Sequence, residues 1–321
     1  MEQRRLGTSG LRVSRLALGT MTWGKDTDAE EAAAQLVSFV DAGGTLVDTA
    51  DVYSDGESER ILGGLLQEVV PREDIVLASK AVARRHNGPF GGGASRGALL
   101  HALDESLSRL RVDHIDLWQL HAWDPQTPID ETLDAVETAV SSGKVRYIGL
   151  SNYAGWQLGT TLGLATGLLR HARIVSTQHE YSLLERGAED HVVPAAEYHG
   201  IGLLPWAPLG RGVLTGKYRR GTPSDSRGAS VHLAGYVDQH RTDRAARIVQ
   251  AVVTAADGLS SSPVAVALAW LRERPGVIAP VVGARDAAQL TGSLASEQLE
   301  LPAEIRAALD DVSLHDRPDH N

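Results

Sequence analysis

Four side chains able to hold or move a proton recur at the ends of successive apolar runs in this chain. Asp48 follows Thr45-Leu46-Val47, with Tyr53 a few residues on. Lys80 closes the run that begins Ile75-Val76-Leu77, and His121 closes Ile115-Asp116-Leu117-Trp118-Gln119-Leu120. A tyrosine acid flanked by lysine, aspartate and histidine suits protonation of a carbonyl oxygen. Reducing a carbonyl requires a hydride at carbon and a proton, or donors, at the developing alkoxide. A free tyrosine titrates near ~10, so a nearby Lys80 ammonium is expected to stabilise the phenolate and make Tyr53 a better acid. Asp48 can pair with Lys80 and fix its position. His121 can donate a hydrogen bond that orients the carbonyl. Singly, each has a plainer reading: a strand-end Asp as a cap, a Tyr or His as a satisfied structural group. A metal site on Asp48 and His121 has no HxH or HExxH spacing behind it, so no metal is expected.

These residues meet only if the runs before them are parallel strands whose C-terminal ends share one rim. Apolar, β-rich runs alternate with helical patterns along almost the whole chain. A hairpin is expected over 4–13, turning at Thr8-Ser9-Gly10. Strands are expected at 16–18, 45–48, 75–80, 115–121, 145–151, 174–178, 201–205 and 277–282. Helices are expected at 28–41, 58–68, 95–110 and 129–141, the first opening on Asp28, Glu30 and Glu31, where the helix dipole favours acids. Eight such units fit an α/β fold of the (β/α)8 TIM-barrel type with an N-terminal hairpin and an extra C-terminal helix. A doubly wound sheet is the alternative, but no GxGxxG follows the first strand. No linker or composition shift divides the chain, so one barrel domain over 1–321 is expected. The stretch 218–241 is long and irregular, as lids and disordered segments are.

The bulk numbers exclude several function classes. A net charge of −10 over 321 residues argues against a nucleic-acid partner, which needs a basic face. The chain has no cysteine, so a disulfide framework, a thiolate metal site and a thiol nucleophile are ruled out. That fits a reducing compartment, and a cytoplasmic protein is expected. The N-terminus lacks the apolar run of a signal peptide. With no stretch of about 18 apolar residues, no membrane span or membrane partner is expected.

The phrases DTADVYSDGESERILG, LWQLHAWDP and GKVRYIGLSNYAGW, with these four residue types at these strand ends, resemble the aldo-keto reductases from end to end. The likeness is to bacterial members near the potassium-channel β-subunit branch. It implies an NAD(P)H-dependent oxidoreductase that reversibly reduces an aldehyde or ketone, a small-molecule carbonyl, with NADPH preferred over NADH. The catalytic tetrad it implies is Asp48, Tyr53, Lys80 and His121.

The resemblance also implies a cofactor lying extended over the barrel mouth without a Rossmann fold. Gly19, Thr20 and Met21 match backbone near the reaction centre. Ser151, Asn152 and Gln178 match the partners of the nicotinamide carboxamide, and Trp206 the aromatic that stacks on its ring. Ala207, Pro208, Leu209, Gly210, Gly212 and Lys217 match the pyrophosphate loop. Gly283, Arg285, Gln289 and Ser293 match the adenosine-phosphate segment, and a phosphate at a helix N-terminus is physically reasonable. The family usually has Ser where this chain has Ala207, and Glu-Asn where it has Gly292-Ser293, so two contacts depart. Lys217, Arg227 and Arg285 are expected to form a cationic pocket for a 2′-phosphate, since Arg binds phosphate in a bidentate fork. The stretch 88–95, glycine-rich, looks like a phosphate cradle, but no GK[ST] follows; it reads as a mobile loop near the substrate mouth. Trp23, Phe90, Trp123 and Tyr181 are candidates for an apolar substrate pocket. Two other functions share the pattern: a cofactor-sensing regulatory subunit, and a nucleotide-sugar ketoreductase.

Overall fold

Two-residue alternation along each strand sends one set of side chains into the barrel and the other against the helices. The computed structural model describes residues 1–314 apart from Asp225 and His232, and of Arg227 it describes the backbone. A hairpin of β1 (Gln3–Arg5) and β2 (Arg12–Ser14) comes first. There follow β3 (Ala17–Gly19), α1 (Ala29–Asp41), β4 (Leu46–Asp48), α2 (Glu57–Glu68), β5 (Val76–Ala81), α3 (Arg96–Leu110), β6 (Ile115–Leu120) and α4 (Ile129–Ser141). Next come β7 (Val145–Ser151), α5 (Gly155–Leu168), β8 (Ile174–Glu180), α6 (Ala188–His199) and β9 (Gly202–Trp206). The chain ends with α7 (Ala234–Asp238), α8 (Asp243–Gly258), α9 (Pro263–Arg272), β10 (Val281–Gly283), α10 (Ala287–Leu294) and α11 (Ala303–Ser313). Strands β3 to β10 form one eight-stranded sheet in the order β10-β3-β4-β5-β6-β7-β8-β9. A bridge between Leu203 of β9 and Val277, in the segment leading into β10, draws its two edges together. This is a (β/α)8 TIM barrel with an N-terminal hairpin.

Local signals start helices α1, α3 and α10, the first two where expected. Asp28 accepts from the Glu31 N–H at 2.9 Å, Ser95 from Ala98 at 3.4 Å and Asp286 from Gln289 at 2.8 Å. Each satisfies a backbone donor that the first turn leaves open.

The barrel interior is divided. Its lower part is an apolar cluster that includes Ala17, Leu46, Ala78, Leu117 and Leu204, with Leu6 and Val13 of the hairpin segment packed into it. One step up the same inward faces stand Asp48, Lys80 and Gln119, all buried and polar. The outward set, including Val47, Leu77, Trp118, Leu120 and Ile148, joins the helices in the larger core. The hairpin seals the lower end with hydrocarbon, and the upper end is left for polar groups.

Two expectations need correction. The eighth strand is shorter than 277–282, because Pro280 lacks an N–H and cannot donate to a ladder. Its carbonyl still accepts from Ala17 N at 2.9 Å, but regular pairing starts only at Val281. The stretch 218–241 is not irregular throughout: it holds a 3-10 turn at Arg227–Ala229 and α7. Beyond it α8 and α9 fill the space before β10, meeting at a bend of 102°. No single helix among the described residues is long and apolar enough to cross a membrane.

Adjacent glycines in α2 test the packing that holds Tyr53's neighbourhood. A Cβ on Gly63 would stand 2.6 Å from the Arg109 carbonyl oxygen and 2.7 Å from that of Leu110, whereas one on Gly64 would meet nothing within 4 Å. Helix propensity alone favours alanine by about 1 kcal/mol at either site. Gly64→Ala is therefore expected to stabilise by about that much. Gly63→Ala must displace backbone and is expected to destabilise by about 1–3 kcal/mol. Urea unfolding of both variants checks this; midpoints moving in the same direction would contradict it.

Candidate active site

Parallel register brings the strand-end residues together. Gly19 pairs with Asp48, Asp48 with Ala78, and Lys80 with Gln119 across neighbouring strands. Lys80 lies two residues beyond Ala78 on the same inward face, so its side chain can lean back toward Asp48. Its Nζ stands 2.5 Å from Asp48 Oδ2, 2.9 Å from the Thr49 carbonyl and 3.3 Å from Tyr53 Oη. An ammonium has three protons, and each has an acceptor. The other carboxylate oxygen, Asp48 Oδ1, accepts from Gln119 Nε2 at 2.8 Å and Gln178 Nε2 at 3.0 Å.

Charge and burial set the proton affinities. Burial pulls the Lys80 ammonium down, but Asp48 and Tyr53 more than offset this and hold it above the ordinary lysine value. For Tyr53 burial is the largest effect and raises the phenol above its ordinary value. Lys80 pulls the other way without cancelling it, and Asp48 adds to the rise. Lys80 thus acts in the expected direction, yet the phenol is a weaker acid than a free tyrosine. Near neutrality it holds its proton and is a donor. His121 lies edge-on to Tyr53, with ring centroids 6.0 Å apart. Burial, then Lys80, lower it to about 4, so its ring is neutral at pH 7. Its Nδ1 is buried without a partner, which leaves Nε2 as the nitrogen able to meet a ligand.

A cavity of about 340 Å³ opens over this group. Of the expected cofactor positions, its lining includes Gly19, Met21, Ser151, Asn152, Gln178 and Trp206. From the following loop and the last barrel unit come Ala207, Pro208, Leu209, Gly212, Lys217, Gly283, Arg285 and Gln289. Gln178 donates through Nε2 to Asp48 and to Gln119 Oε1, which leaves its Oε1 as an acceptor. Ser151 Oγ accepts from Asn152 and keeps its own proton to donate. Asn152, at a left-handed φ of 57°, is committed on both amide atoms. Its Oδ1 accepts from Trp206 Nε1 at 2.9 Å, and its Nδ2 donates to the His121 carbonyl at 3.0 Å.

Other expected positions lie elsewhere. Thr20 is buried, bonded through Oγ1 to Ser58 Oγ at 2.7 Å, and Gly210 is buried within its loop, facing Leu184. Ser293 is buried and donates to the Gln289 carbonyl of its own helix at 3.2 Å. The Arg227 side chain lies outside the described residues. None of the four aromatics proposed for a substrate pocket lines the cavity. Trp23 is fully buried with Nε1 on Gln35 Oε1 at 3.1 Å. Tyr181 is buried against Trp270 with its hydroxyl on Glu189 at 2.6 Å. Both are core residues whose polar tips found internal partners. Trp123 packs on Tyr153 and Trp156, and Phe90 is exposed, tilted against His101.

Sequence reasoning missed three participants. Gln119 was discoverable, since it shares the inward face of β6 with His121 two positions on. Tyr236 lines the cavity from α7, inside a stretch with no regular pattern. Arg211 belongs to the glycine-rich loop but does not simply face a phosphate. It forks onto Glu180 at 2.9 and 2.6 Å, donates to the Tyr236 carbonyl and Gln239, and lies 4.0 Å over the Tyr236 ring. It therefore pins α7 over the mouth.

Known proteins resemble this chain over nearly its whole length. Residues 15–313 match the model of the Aldo/keto reductase family. The chain is 38% identical to the uncharacterized oxidoreductase YrpG of Bacillus subtilis, over 97% of this chain and 96% of the relative. It is 34% identical to a probable voltage-gated potassium channel subunit beta of Arabidopsis thaliana, over 90% and 89%. It is 32% identical to the versiconal hemiacetal acetate reductase of Aspergillus parasiticus, over 95% of each.

The lowered proton affinity of His121 has a measurable consequence. In its NMR titration, assigned by loss of the signal in His121→Gln, the ring is expected to stay neutral from pH 8 to below pH 5. A midpoint at the ordinary histidine value of about 6.5 would show that burial and Lys80 do not act on it as described.

Proposed function

Because this chain belongs to the aldo/keto reductase family and is an oxidoreductase, we propose that it reversibly reduces an aldehyde or ketone with NADPH, using Tyr53 as the proton donor. The observation that carries this reading is a protonated phenol 3.3 Å from a buried ammonium, on the wall of the cavity. The donor set suits a nicotinamide. A carboxamide needs one acceptor and one donor, and Gln178 Oε1 and Ser151 Oγ offer these. Trp206, braced by Asn152, presents its ring for stacking. Asn152 holds Trp206 and His121 in place and is not itself a carboxamide donor.

When bound, the reduced nicotinamide supplies a hydride to the carbonyl carbon. As negative charge develops on the carbonyl oxygen, Tyr53 gives that oxygen its phenolic proton. The Lys80 ammonium stabilises the phenolate that remains, and Asp48 keeps the ammonium in place. Neutral His121 donates through Nε2 to the same oxygen and fixes its direction. In reverse, the phenolate takes the proton from the alcohol. Lys217 and Arg285 line the cavity and favour the cofactor with the extra phosphate. Ala207 has no hydroxyl, and Ser293 points its own into helix α10, so affinity rests more on that phosphate.

Tyr53→Phe is expected to lower turnover by at least ~10²-fold while leaving the cofactor dissociation constant nearly unchanged. Turnover is followed at the cofactor's absorbance across a panel of aldehydes and ketones, and binding by Trp fluorescence quenching. A Phe variant with near-normal turnover would remove Tyr53 from the reaction. NADPH is expected to bind at least about tenfold tighter than NADH, roughly 1.4 kcal/mol, and Arg285→Ala to erode this by weakening NADPH. Equal dissociation constants in the unmutated protein would refute the cationic reading.

A further inference from the structure

Behind Lys80 and Tyr53 lies a second charged cluster that the reaction as described does not use. Asp51 stands two residues before Tyr53, is 2% exposed, and donates its backbone N–H to the Lys80 carbonyl at 3.1 Å. Its carboxylate faces charges from every element packed against it. From the segment after β5, Arg85 brings Nε to 3.1 Å of Asp51 Oδ2. The two groups are misaligned, so neither Asp51 oxygen nor Arg85 Nε makes a directed hydrogen bond. From α2 comes Glu59, fully buried, held by Ser79 Oγ at 2.6 Å and Arg109 Nε at 2.7 Å. From α3 come Arg109 and Glu105, and Glu105 also pairs with Arg85. From β5 comes Lys80.

A buried carboxylate without hydrogen bonds and with a second carboxylate nearby is a poor home for negative charge. Burial, then Glu59, push Asp51 up to about 7, against Arg85, Arg109 and Lys80. When ionised, Asp51 raises the phenol of Tyr53 further.

We propose that Asp51 is a positioning residue that acts through the Lys80–Tyr53 pair and governs how readily Tyr53 gives up its proton. The inference rests on the reading of Tyr53 as the acid. Neutral Asp51 leaves Tyr53 the better donor, and ionised Asp51 opposes the phenolate that reduction leaves behind. Turnover in reduction should then fall as the pH rises through about 7. Asp51→Asn keeps the shape and never ionises, so it should behave at every pH as the unmutated protein does at low pH. Removing Arg85 takes away a stabilising cation, so Arg85→Met should shift the fall to higher pH.

The test measures kcat and KM for para-nitrobenzaldehyde with NADPH from pH 6 to 8.5 in the unmutated protein, Asp51→Asn, Arg85→Met and Tyr53→Phe. The expected result is a decline in kcat of about tenfold or less, abolished in Asp51→Asn with KM little changed. Thermal unfolding supplies a readout independent of turnover. A carboxyl raised above its unfolded value of about 3.9 binds more protons when folded between about pH 4 and 7. The stability it contributes is therefore lost as the pH rises through that window. Asp51→Asn should gain in melting temperature over the unmutated protein more at pH 8 than at pH 5. If Tyr53→Phe keeps its turnover, the acid assignment falls and this inference with it. If Tyr53→Phe is inactive but Asp51→Asn retains the unmutated pH profile, or the melting difference is the same at both pH values, only this inference is overturned.

Discussion

The buried ammonium of Lys80 is the constraint on which the rest of the site depends. Its side chain is 0% exposed, and a charge withdrawn from water persists only when paired and hydrogen-bonded. Losing one partner of such a pair costs about 3–5 kcal/mol. Asp48 supplies the opposite charge, and the carboxylate itself needs donors on its second oxygen. Gln119 and Gln178 provide them, so β4, β5, β6 and β8 all contribute to one ion pair. The polar upper interior follows from this need, and the apolar lower interior with its hairpin plug keeps water out from below.

The same pair underlies the proposed chemistry. A phenol placed against Lys80 alone would be acidified, but burial and Asp48 reverse the balance. What results is a protonated phenol beside a buried cation; in the proposed reaction it keeps its proton until a developing oxyanion draws it off, with the cation already in place for the phenolate. Such preorganised charge costs no rearrangement at the moment of reaction. His121 is neutral for the same reasons of burial and a nearby cation, and on the proposed reading it adds direction without adding charge.

Around this rigid floor the rim is built from unusual backbone. Asn152, Ala207 and Arg211 all have positive φ without being glycine, a conformation that persists only when surrounding contacts over-determine it. At Asn152 these are the bonds to Trp206 and the His121 carbonyl. At Arg211 they are the fork onto Glu180 and the hold on α7. Both put an aromatic ring on the cavity wall, Trp206 and Tyr236.

By itself the sequence determined the strand–helix alternation, the helix starts at Asp28 and Ser95, and the coincidence of Asp48, Tyr53, Lys80 and His121 at one rim. Those are local properties: period-two alternation and capping are written within a few residues, and parallel strands in sequence order bring their ends together. Pro280 also acts locally, its missing N–H holding regular pairing off until Val281. Tertiary structure alone decided which aromatics reach the cavity. Trp23 and Tyr181 are aromatic like Trp206, and only the fold, which sets Gln35 against Trp23 and Trp270 against Tyr181, assigns them to the core. It also decided that Asn152 braces its neighbours, that α7 holds Tyr236 over the mouth, and that Tyr53 is a weaker acid than its lysine suggests. Burial and the sum of surrounding charges depend on the whole packed molecule, and no window of sequence contains them.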